Sequence, residues 1–330
     1  MDPLSDLLRV VRLDGAYFYA VEAVSPWSVE TAAARELTPR IMPAAEHLIS
    51  YHIVTEGRCF GGVVGADPVE LVRGDVIVFP QGDAHIMSSE RSRQPGAGVH
   101  RVSTTRFRET VVLGSAAAPG ATHTTFVCGF LGCDRRPFNP LLAALPRQLH
   151  VRGLSHEAFG GLTRELVEDS RVGKAGAEGV LTRLAELMFI AVLRRYLEGL
   201  PAEHTGWLAG LRDELVGRVL TLLHGRPGHP WTIDELARAA ASSRSNVAKR
   251  FTELVGQPPM QYLTAWRMQV AANLLRQSGA KVAAIAGAVG YDSEAAFSRA
   301  FKKATGVAPG AWRDVRRGAR ARRSSKRWRR

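Results

Sequence analysis

The sequence has little cysteine and no long hydrophobic run. Its three cysteines, Cys59, Cys128 and Cys133, are too few for a disulfide framework, so we expect a reducing cytoplasm. The longest compact apolar stretch, residues 187–193, is far shorter than the roughly 20 residues of a membrane-spanning helix. The first ten residues include acids and no long apolar run, so we predict neither a signal peptide nor a membrane partner.

Acidic residues are also scarce in the last third of the chain. Residues 212–330 carry 23 Lys and Arg against 8 Asp and Glu, whereas residues 1–211 carry 21 against 23. All of the net charge of +13 therefore arises from the last third. Because basic side chains that neutralise phosphates release counterions, this distribution predicts double-stranded DNA as a partner. A solvated cationic surface is the alternative interpretation.

A short basic helix is predicted twice, at an offset of 50 residues. Ser243 and Ser293 are suitable N-caps, and Gly256 and Gly306 are suitable helix stops. A short apolar helix precedes each copy, and the first begins with a Thr-x-x-Glu capping box at Thr232. Two helices joined by a tight turn are typical of the helix-turn-helix motif, whose second helix enters the major groove. A long predicted helix separates the copies, so we expect one chain to contact two successive major-groove segments, roughly 34 Å apart.

The helical spacing divides each predicted recognition helix into a buried stripe and an outward face. The buried stripes are Val247, Phe251 and Leu254 in the first helix and Phe297, Phe301 and Ala304 in the second. The outward faces consist of small, polar and basic residues that permit close approach to base edges and phosphates. These residues are Arg244, Ser245, Asn246, Ala248 and Lys249 in the first helix and Glu294, Ala295, Ser298, Arg299 and Lys302 in the second.

Residues 231–313 resemble the DNA-binding domain of the AraC/XylS family of bacterial transcription regulators. The second half, IAGAVGYDSEAAFSRAFKKATGVAPGAWR, is similar to the family signature nearly throughout. The resemblance implies a sequence-specific regulator, here expected to be an activator, with RNA polymerase as a further partner. By position it implies base contacts from Ser245, Asn246, Ala248, Lys249, Glu294, Ala295, Ser298 and Arg299. The first helix departs from the pattern, since Ala248 cannot hydrogen-bond a base and Lys249 replaces a common Arg.

The front of the chain consists of short β-branched and aromatic runs separated by Gly-rich turns, which predicts an antiparallel barrel or sandwich. The stretch from Gly74 to His85 is similar to the second cupin motif, and His52 with Glu56 resembles part of the first. Ser50 and Ser89 replace a His and an Asn of those motifs. The resemblance implies a cupin-type sensor domain ahead of the DNA-binding domain.

The sensing chemistry has several candidate residues. His52, Glu56 and His85 are the predicted effector pocket; they would also suit a metal, but with two motif residues missing we predict no metal and no cofactor. Cys128 and Cys133 are candidates for a redox switch, provided that the following turn brings them together. Buried, inert thiols are the alternative. The effector is therefore expected to be a small molecule or an oxidant.

We predict a multidomain α and β protein with a cupin-like antiparallel β-barrel, a helical connector and an all-α double helix-turn-helix domain. The predicted boundaries are 1–150 for the sensor, 151–206 for the connector, 207–315 for the DNA-binding domain and 316–330 for a disordered basic tail. The connector helices either pack on the barrel or form a homodimer. The tail either binds phosphates or is merely solvated. A cytoplasmic regulator without enzyme activity is the favoured function, and a metal-dependent cupin enzyme tethered to DNA is the alternative.

Overall fold

The computed structural model describes residues 2–11, 13–43, 45–91, 99–101, 110–114, 120–154, 176–201 and 203–314. The chain divides into two compact units. The strand-rich unit comprises Leu13–Cys133 and Leu145–Gly199, and the helical unit comprises Met1–Arg12, Asp134–Ala144 and Leu200–Arg330.

The described part of the strand-rich unit contains two β-sheets. Its strands are β1 Leu13–Val24, β2 Ser28–Thr31, β3 His47–Glu56, β4 Arg58–Val63, β5 Val69–Val72, β6 Val76–Phe79, β7 His85–Ser88, β8 Val99–Arg101, β9 Val111–Leu113, β10 His123–Cys133 and β11 Leu149–Val151. One sheet has the order β11-β6-β3-β10-β1-β9, and the other has the order β5-β4-β7-β2-β8. The four strand-length runs of the sequence prediction lie in β1, β3, β6 and β10, which confirms those strands.

Alternation along the strands produces the core of this unit. In β10, Phe126, Cys128 and Phe130 occupy every second position and belong to one buried apolar cluster. The other sheet contributes Leu71 and Met87 to the same cluster. Side chains from the facing sheets therefore pack together as in a β-sandwich.

The prediction of a wholly antiparallel barrel is corrected by this topology. Among the described strands, the hydrogen-bonded ladders end at edge strands β11, β9, β5 and β8, so no strand pairing closes the two sheets on each other. The pairs β1 with β9 and β2 with β8 are parallel. Side-chain packing between the sheets, rather than a continuous ladder, holds the two faces together.

Two helices complete the described part of the strand-rich unit, α2 Ala34–Ile41 and α4 Ala177–Glu198. Helix α4 is the second predicted connector helix, and it packs against β1, β10 and β11. It buries Leu184, Met188 and Val192, which favours packing on the sheet for that face of the connector. The first predicted connector helix lies outside the described residues.

The helical unit contains nine helices within its described residues. They are α1 Pro3–Val10, α3 Pro140–Ala144, α5 Trp207–Arg212, α6 Glu214–Gly225, α7 Ile233–Ala239, α8 Arg244–Val255, α9 Pro259–Gln277, α10 Val282–Ala288 and α11 Glu294–Thr305. No described helix of the chain is long and apolar enough to cross a membrane.

Two segments that the sequence analysis placed in the sensor belong to the helical unit, residues 1–12 and 134–144. Helix α1 packs against α6 and α9 and fully buries Leu7. The segment after β10 runs along α9: Asp134 pairs with Arg276, and the Phe138 backbone N–H donates to Gln269 at 3.0 Å. This division could not be predicted from the order of the segments, because neither segment is contiguous in sequence with the helices on which it packs.

Candidate nucleic-acid interface and sensor site

The first helix-turn-helix motif consists of α7 and α8, each with a side-chain cap at its N-terminus. Thr232 accepts a hydrogen bond from the Glu235 backbone N–H at 3.2 Å, and Ser243 accepts one from Asn246 at 3.2 Å. Helix α8 ends at Gly256, which has φ +82°. The caps confirm the predicted starting points, and the Glu235 carboxylate bonds to His229 at 2.7 Å.

The second motif, α10 and α11, repeats this construction at the predicted offset. Ser293 accepts a hydrogen bond from the Ala296 backbone N–H at 3.2 Å, and α11 ends at Gly306 with φ +82°. Phe297 and Phe301 are fully buried, as predicted. The third predicted stripe residue is wrong, because Thr305 is buried instead of Ala304. A spacing of four residues from Phe301 keeps Thr305 on the inner face of the helix.

The outward faces of α8 and α11 are accessible. Arg244, Ser245, Asn246 and Lys249 are exposed on α8, and Glu294, Ala295, Arg299 and Lys302 are exposed on α11. Ala248 and Ser298 are half-buried at corresponding positions of the two helices. The structure thus places all ten predicted DNA-contact residues on the first turns and outward faces of the two recognition helices.

The two faces differ in their charge pairing. On α8, Arg244 lies 3.7 Å from Asp234, and Lys249 lies 3.9 Å from Glu253. Both pairs are exposed, so each contributes little stability and can yield to a phosphate. On α11, neither Arg299 nor Lys302 forms an ion pair with a described residue. The second helix therefore presents its cations without intramolecular competition from that part of the chain.

Arg250, which was not among the residues predicted from the sequence, positions α8 within the unit. Its guanidinium donates from Nε to Asp213 at 3.0 Å, and its Nη2 lies 2.9 Å from the same carboxylate oxygen. Asp213 also caps α6 by accepting from the Val216 backbone N–H at 2.9 Å. The signal for Asp213 as a cap was visible in the sequence, but its pairing with Arg250 depends on how α6 and α8 pack.

In the strand-rich unit, His52, His85 and Cys128 form a buried hydrogen-bonded chain between the sheets. His52 Nε2 lies 2.7 Å from His85 Nε2, and His52 Nδ1 lies 2.8 Å from Cys128 Sγ. His85 Nδ1 lies 3.0 Å from the Asp83 carbonyl oxygen. Tyr19 lies beside Cys128 at the far end. We call these groups the His–Cys chain.

The carbonyl at one end fixes the protons along the His–Cys chain. Because the Asp83 oxygen can only accept, neutral His85 carries its proton on Nδ1 and accepts on Nε2. His52 therefore donates from Nε2, which leaves Nδ1 to accept from the Cys128 thiol. The imidazoles and the thiol are thus all hydrogen-bonded while they remain neutral, as a low-dielectric interior requires.

Burial enforces this neutral state. Desolvation lowers the pKa of His52 well below its usual value, and the neighbouring His85 lowers it further. Desolvation also lowers the pKa of His85 to about 4. It raises the pKa of Cys128, although the neighbouring Tyr19 opposes that shift. Cys128 is therefore a thiol rather than a thiolate at neutral pH.

The structure brings together only part of the predicted sensor residues. Glu56 is exposed at the end of β3 and lies apart from the His–Cys chain. Cys133 lies on β10, whose regular strand continues through that residue, so an odd spacing of five places it on the face opposite Cys128. The prediction that a turn brings the two thiols together is therefore wrong. The strand continues to Cys133 and the turn follows it, so both thiols lie on the strand. In the described part of the chain, no group of three His, Cys, Asp or Glu residues could hold a metal ion.

Comparisons with known proteins agree with both motifs. A family model described as Cupin matches residues 2–198, and one described as helix-turn-helix domain matches residues 236–314. The chain is 34% identical over 320 residues to a putative AraC-like transcription regulator of Streptomyces antibioticus, covering 95% of this chain and 98% of the relative. It is 26% identical over 314 residues to the HTH-type transcriptional regulator AlkR of Acinetobacter baylyi, covering 92% and 96%.

A solved structure is similar to one third of the chain. It is the DNA-binding domain of AdpA, a global transcriptional factor, in complex with a target DNA. That domain is 31% identical to this chain, covers 33% of this chain and 97% of its own, and has a TM-score of 0.31. The cupin match spans more than half of the chain, and the Streptomyces relative matches nearly all of it. The chain therefore belongs to the family of AraC-like transcription regulators, DNA-binding proteins that here combine a cupin-type domain with two helix-turn-helix motifs.

Proposed function

We propose that the protein contacts two successive major-groove segments of double-stranded DNA with α8 and α11, in the cytoplasm, and thereby regulates transcription. The repeated exposed face behind the same serine cap and glycine stop supports this proposal. In the proposal, base contacts come from Ser245, Asn246, Ala248, Lys249, Glu294, Ala295, Ser298 and Arg299. Arg244 and Lys302 contact phosphates at the margins of the two faces.

Genome-wide recovery of DNA fragments bound by the purified full-length protein at physiological salt tests this function. We expect enrichment of a few promoters that share two short motifs about one helical turn apart. Uniform, salt-labile binding to all fragments would contradict sequence-specific recognition, because phosphate contacts alone carry no sequence information. Transcription of the enriched promoters with purified RNA polymerase would then distinguish an activator from a repressor.

In this proposal the strand-rich unit is the sensor domain, and the His–Cys chain is the site that responds to the effector. It is a run of neutral, mutually dependent hydrogen bonds inside an otherwise apolar core, so the loss of one proton or one partner leaves the others unsatisfied. A small molecule that inserts there, or a peroxide that oxidises the Cys128 thiol to a sulfenic acid and is itself reduced to water, would disrupt the His–Cys chain. Of the two candidate cysteines, only Cys128 belongs to the His–Cys chain, so only its oxidation would disrupt that site.

A covalent route connects this site with the DNA-binding helices. Cys128 lies on β10, and Asp134 directly follows the last residue of that strand. Asp134 pairs with Arg276 near the end of α9, the helix between the two motifs. By linkage, an effector can change DNA binding only as far as it binds the two states of the protein differently.

Substitution of each thiol tests the sensing site. Cys128→Ser keeps a hydroxyl donor for His52 but removes the oxidisable sulfur, and Cys133→Ser is the matched control on the same strand. We expect a thiol oxidant to change fragment recovery by the wild-type and Cys133→Ser proteins and to leave Cys128→Ser unaffected. A full response in Cys128→Ser would exclude the thiol of the His–Cys chain as the sensor of an oxidant.

Homodimerisation through α4 is a further part of the proposal. Val180 and Leu187 on this helix are 47% and 53% exposed and lie seven residues apart, so they share one face of the helix. We expect Leu187→Glu to convert a dimer into a monomer in sedimentation equilibrium. An unchanged mass would place any self-association elsewhere.

A further inference from the structure

The turn before the first helix-turn-helix motif touches the second motif through backbone at a pair of glycines. Gly228 lies in the turn that leads from α6 into the first motif, and Gly290 lies in the turn of the second motif, with φ +81°. A Cβ added at Gly228 would lie 2.6 Å from the Ala288 carbonyl oxygen. A Cβ added at Gly290 would lie 2.6 Å from the Gly228 carbonyl oxygen. The close approach therefore requires glycine on both sides.

Arg267 on α9 joins the same two turns. Its Nε donates to the Pro227 carbonyl oxygen at 2.7 Å, and its Nη2 donates to the His229 carbonyl oxygen at 2.8 Å. The guanidinium also borders Gly290, since a Cβ there would lie 2.7 Å from Nη2. Burial lowers the pKa of Arg267, whereas its interactions with Tyr291 and Asp292 raise it. Arg267 thus contacts the turn before one motif and the turn within the other.

The turn before the first motif is in turn fixed to its first helix. His229 bonds through Nε2 to the Glu235 carboxylate of α7 at 2.7 Å. The Trp231 indole N–H donates to the Arg226 carbonyl oxygen at 3.1 Å, which closes the turn on itself. A continuous series of contacts therefore extends from Gly290 of the second motif, through Arg267, to α7 of the first.

A single helix is a poor means of fixing the rotation between two motifs. Helix α9 has 19 residues and is about 28 Å long. Helices of this length curve, and a small bend or twist in α9 would move one recognition helix relative to the other. One extra base pair displaces a DNA site by about 3.4 Å and rotates it by about 35°. A second attachment beside α9 is therefore needed for the protein to distinguish such spacings.

We propose that Arg267, Gly228 and Gly290 form a latch that fixes the rotation of α11 relative to α8 and so determines which spacing of two DNA motifs the protein accepts. Arg267 is a positioning residue in this proposal, since it acts through the two recognition helices. The inference rests on the proposed function, the contact of both helices with successive major-groove segments.

The test uses the full-length protein and two independent variants of the latch. Arg267→Gln removes the forked donors but leaves the glycine contact, and Gly228→Ala introduces the Cβ clash but leaves Arg267. The matched control is Gly287→Ala, one residue before Ala288, where an added Cβ has no described atom within 4 Å. Binding is measured to the two-motif DNA recovered by the wild type, to spacers altered by one or two base pairs, and to each motif alone.

We expect the wild type and Gly287→Ala to prefer one spacing by about tenfold or more, the effect of about 1.4 kcal/mol. In Arg267→Gln and Gly228→Ala this preference should fall to within about threefold, with single-motif affinity preserved, since each recognition helix remains intact. If either latch variant that still binds single motifs kept the wild-type preference, the latch would be overturned. If the wild type itself had no spacing preference, the proposed contact with two DNA segments would be overturned together with the latch. Failure of the latch alone and failure of the proposed function therefore give different results.

Discussion

Asp134 and Arg276 form a buried ion pair in the helical unit, and both side chains are only 7% exposed. The partners are 142 residues apart in sequence. Asp134 directly follows the sensor strand β10, whereas Arg276 lies in the last turn of α9. Removal of one partner would leave the other charge buried and uncompensated, which costs far more than the pair contributes by itself.

We therefore expect Asp134→Asn to lower the free energy of unfolding by about 3 to 5 kcal/mol, measured by urea denaturation. Glu214→Gln, which removes the exposed partner of Arg218 in the same unit, is the control and should cost less than about 1 kcal/mol. Equal losses in the two variants would show that burial does not determine the strength of the Asp134 pair.

His224 makes stability depend on pH. Its Nε2 lies 2.6 Å from the Tyr262 hydroxyl, which accepts from the Trp207 indole N–H at 2.7 Å. Burial lowers the pKa of His224 to about 3. Because the unfolded chain binds the proton near pH 6.5 and the folded chain does not, stability is present above that pH and decreases as pH falls.

Urea denaturation between pH 7 and pH 5 should therefore show a loss of up to about 1.4 kcal/mol per pH unit from this residue. His224→Gln should remove that part of the slope while retaining a partner for Tyr262. His204→Gln, at a half-buried histidine outside this network, is the control. If the slope in His224→Gln equals that of the wild type, the histidine is not the titrating group.

Ala241 occupies a left-handed conformation in the turn of the first motif, with φ +50°. The corresponding position of the second motif is Gly290. A Cβ in this region costs about 1 kcal/mol, so Ala241→Gly should raise the free energy of unfolding by a few tenths to about 1 kcal/mol. Ala239→Gly, two residues earlier in α7, should lower it by about 1 kcal/mol, because there the glycine weakens a regular helix. A decrease in both variants would contradict strain at Ala241.

Arg299 is exposed on α11 and forms no ion pair with a described residue. We expect Arg299→Ala to weaken binding to the recovered promoters by about 1 to 3 kcal/mol and to relax preference at one base pair. Lys303→Ala, at the exposed neighbour of Lys302, is the control and should weaken binding to all sequences alike. Equal losses for Arg299→Ala on specific and random DNA would assign Arg299 to phosphate binding.

The basic tail, residues 316–330, lies outside the described residues and carries nine Lys and Arg without an acid. Its deletion should reduce affinity for every DNA sequence and flatten the dependence of log K on log salt by about 0.9 for each lost phosphate contact. Fluorescence anisotropy across a salt series measures this slope. An unchanged slope would show that the tail does not touch DNA.

The sequence by itself determined the local features of this protein. Caps and stops at Ser243, Gly256, Ser293 and Gly306 depend on hydrogen bonds and backbone angles within a few residues, so the repeated recognition helix could be predicted with its outward face. Strand periodicity likewise placed Cys128 and His52 in strands, since alternation is a property of one segment.

Only the tertiary structure decided which distant residues meet. The pairing of Asp134 with Arg276, the contact of Gly228 with Gly290 and the proton order of the His–Cys chain each join segments far apart in sequence. The same holds for the two sheets, which no pairing among the described strands closes into a barrel, and for residues 2–11 and 134–144, which belong to the unit of the DNA-binding helices. Such contacts follow from the packing of whole faces, which no local spacing specifies.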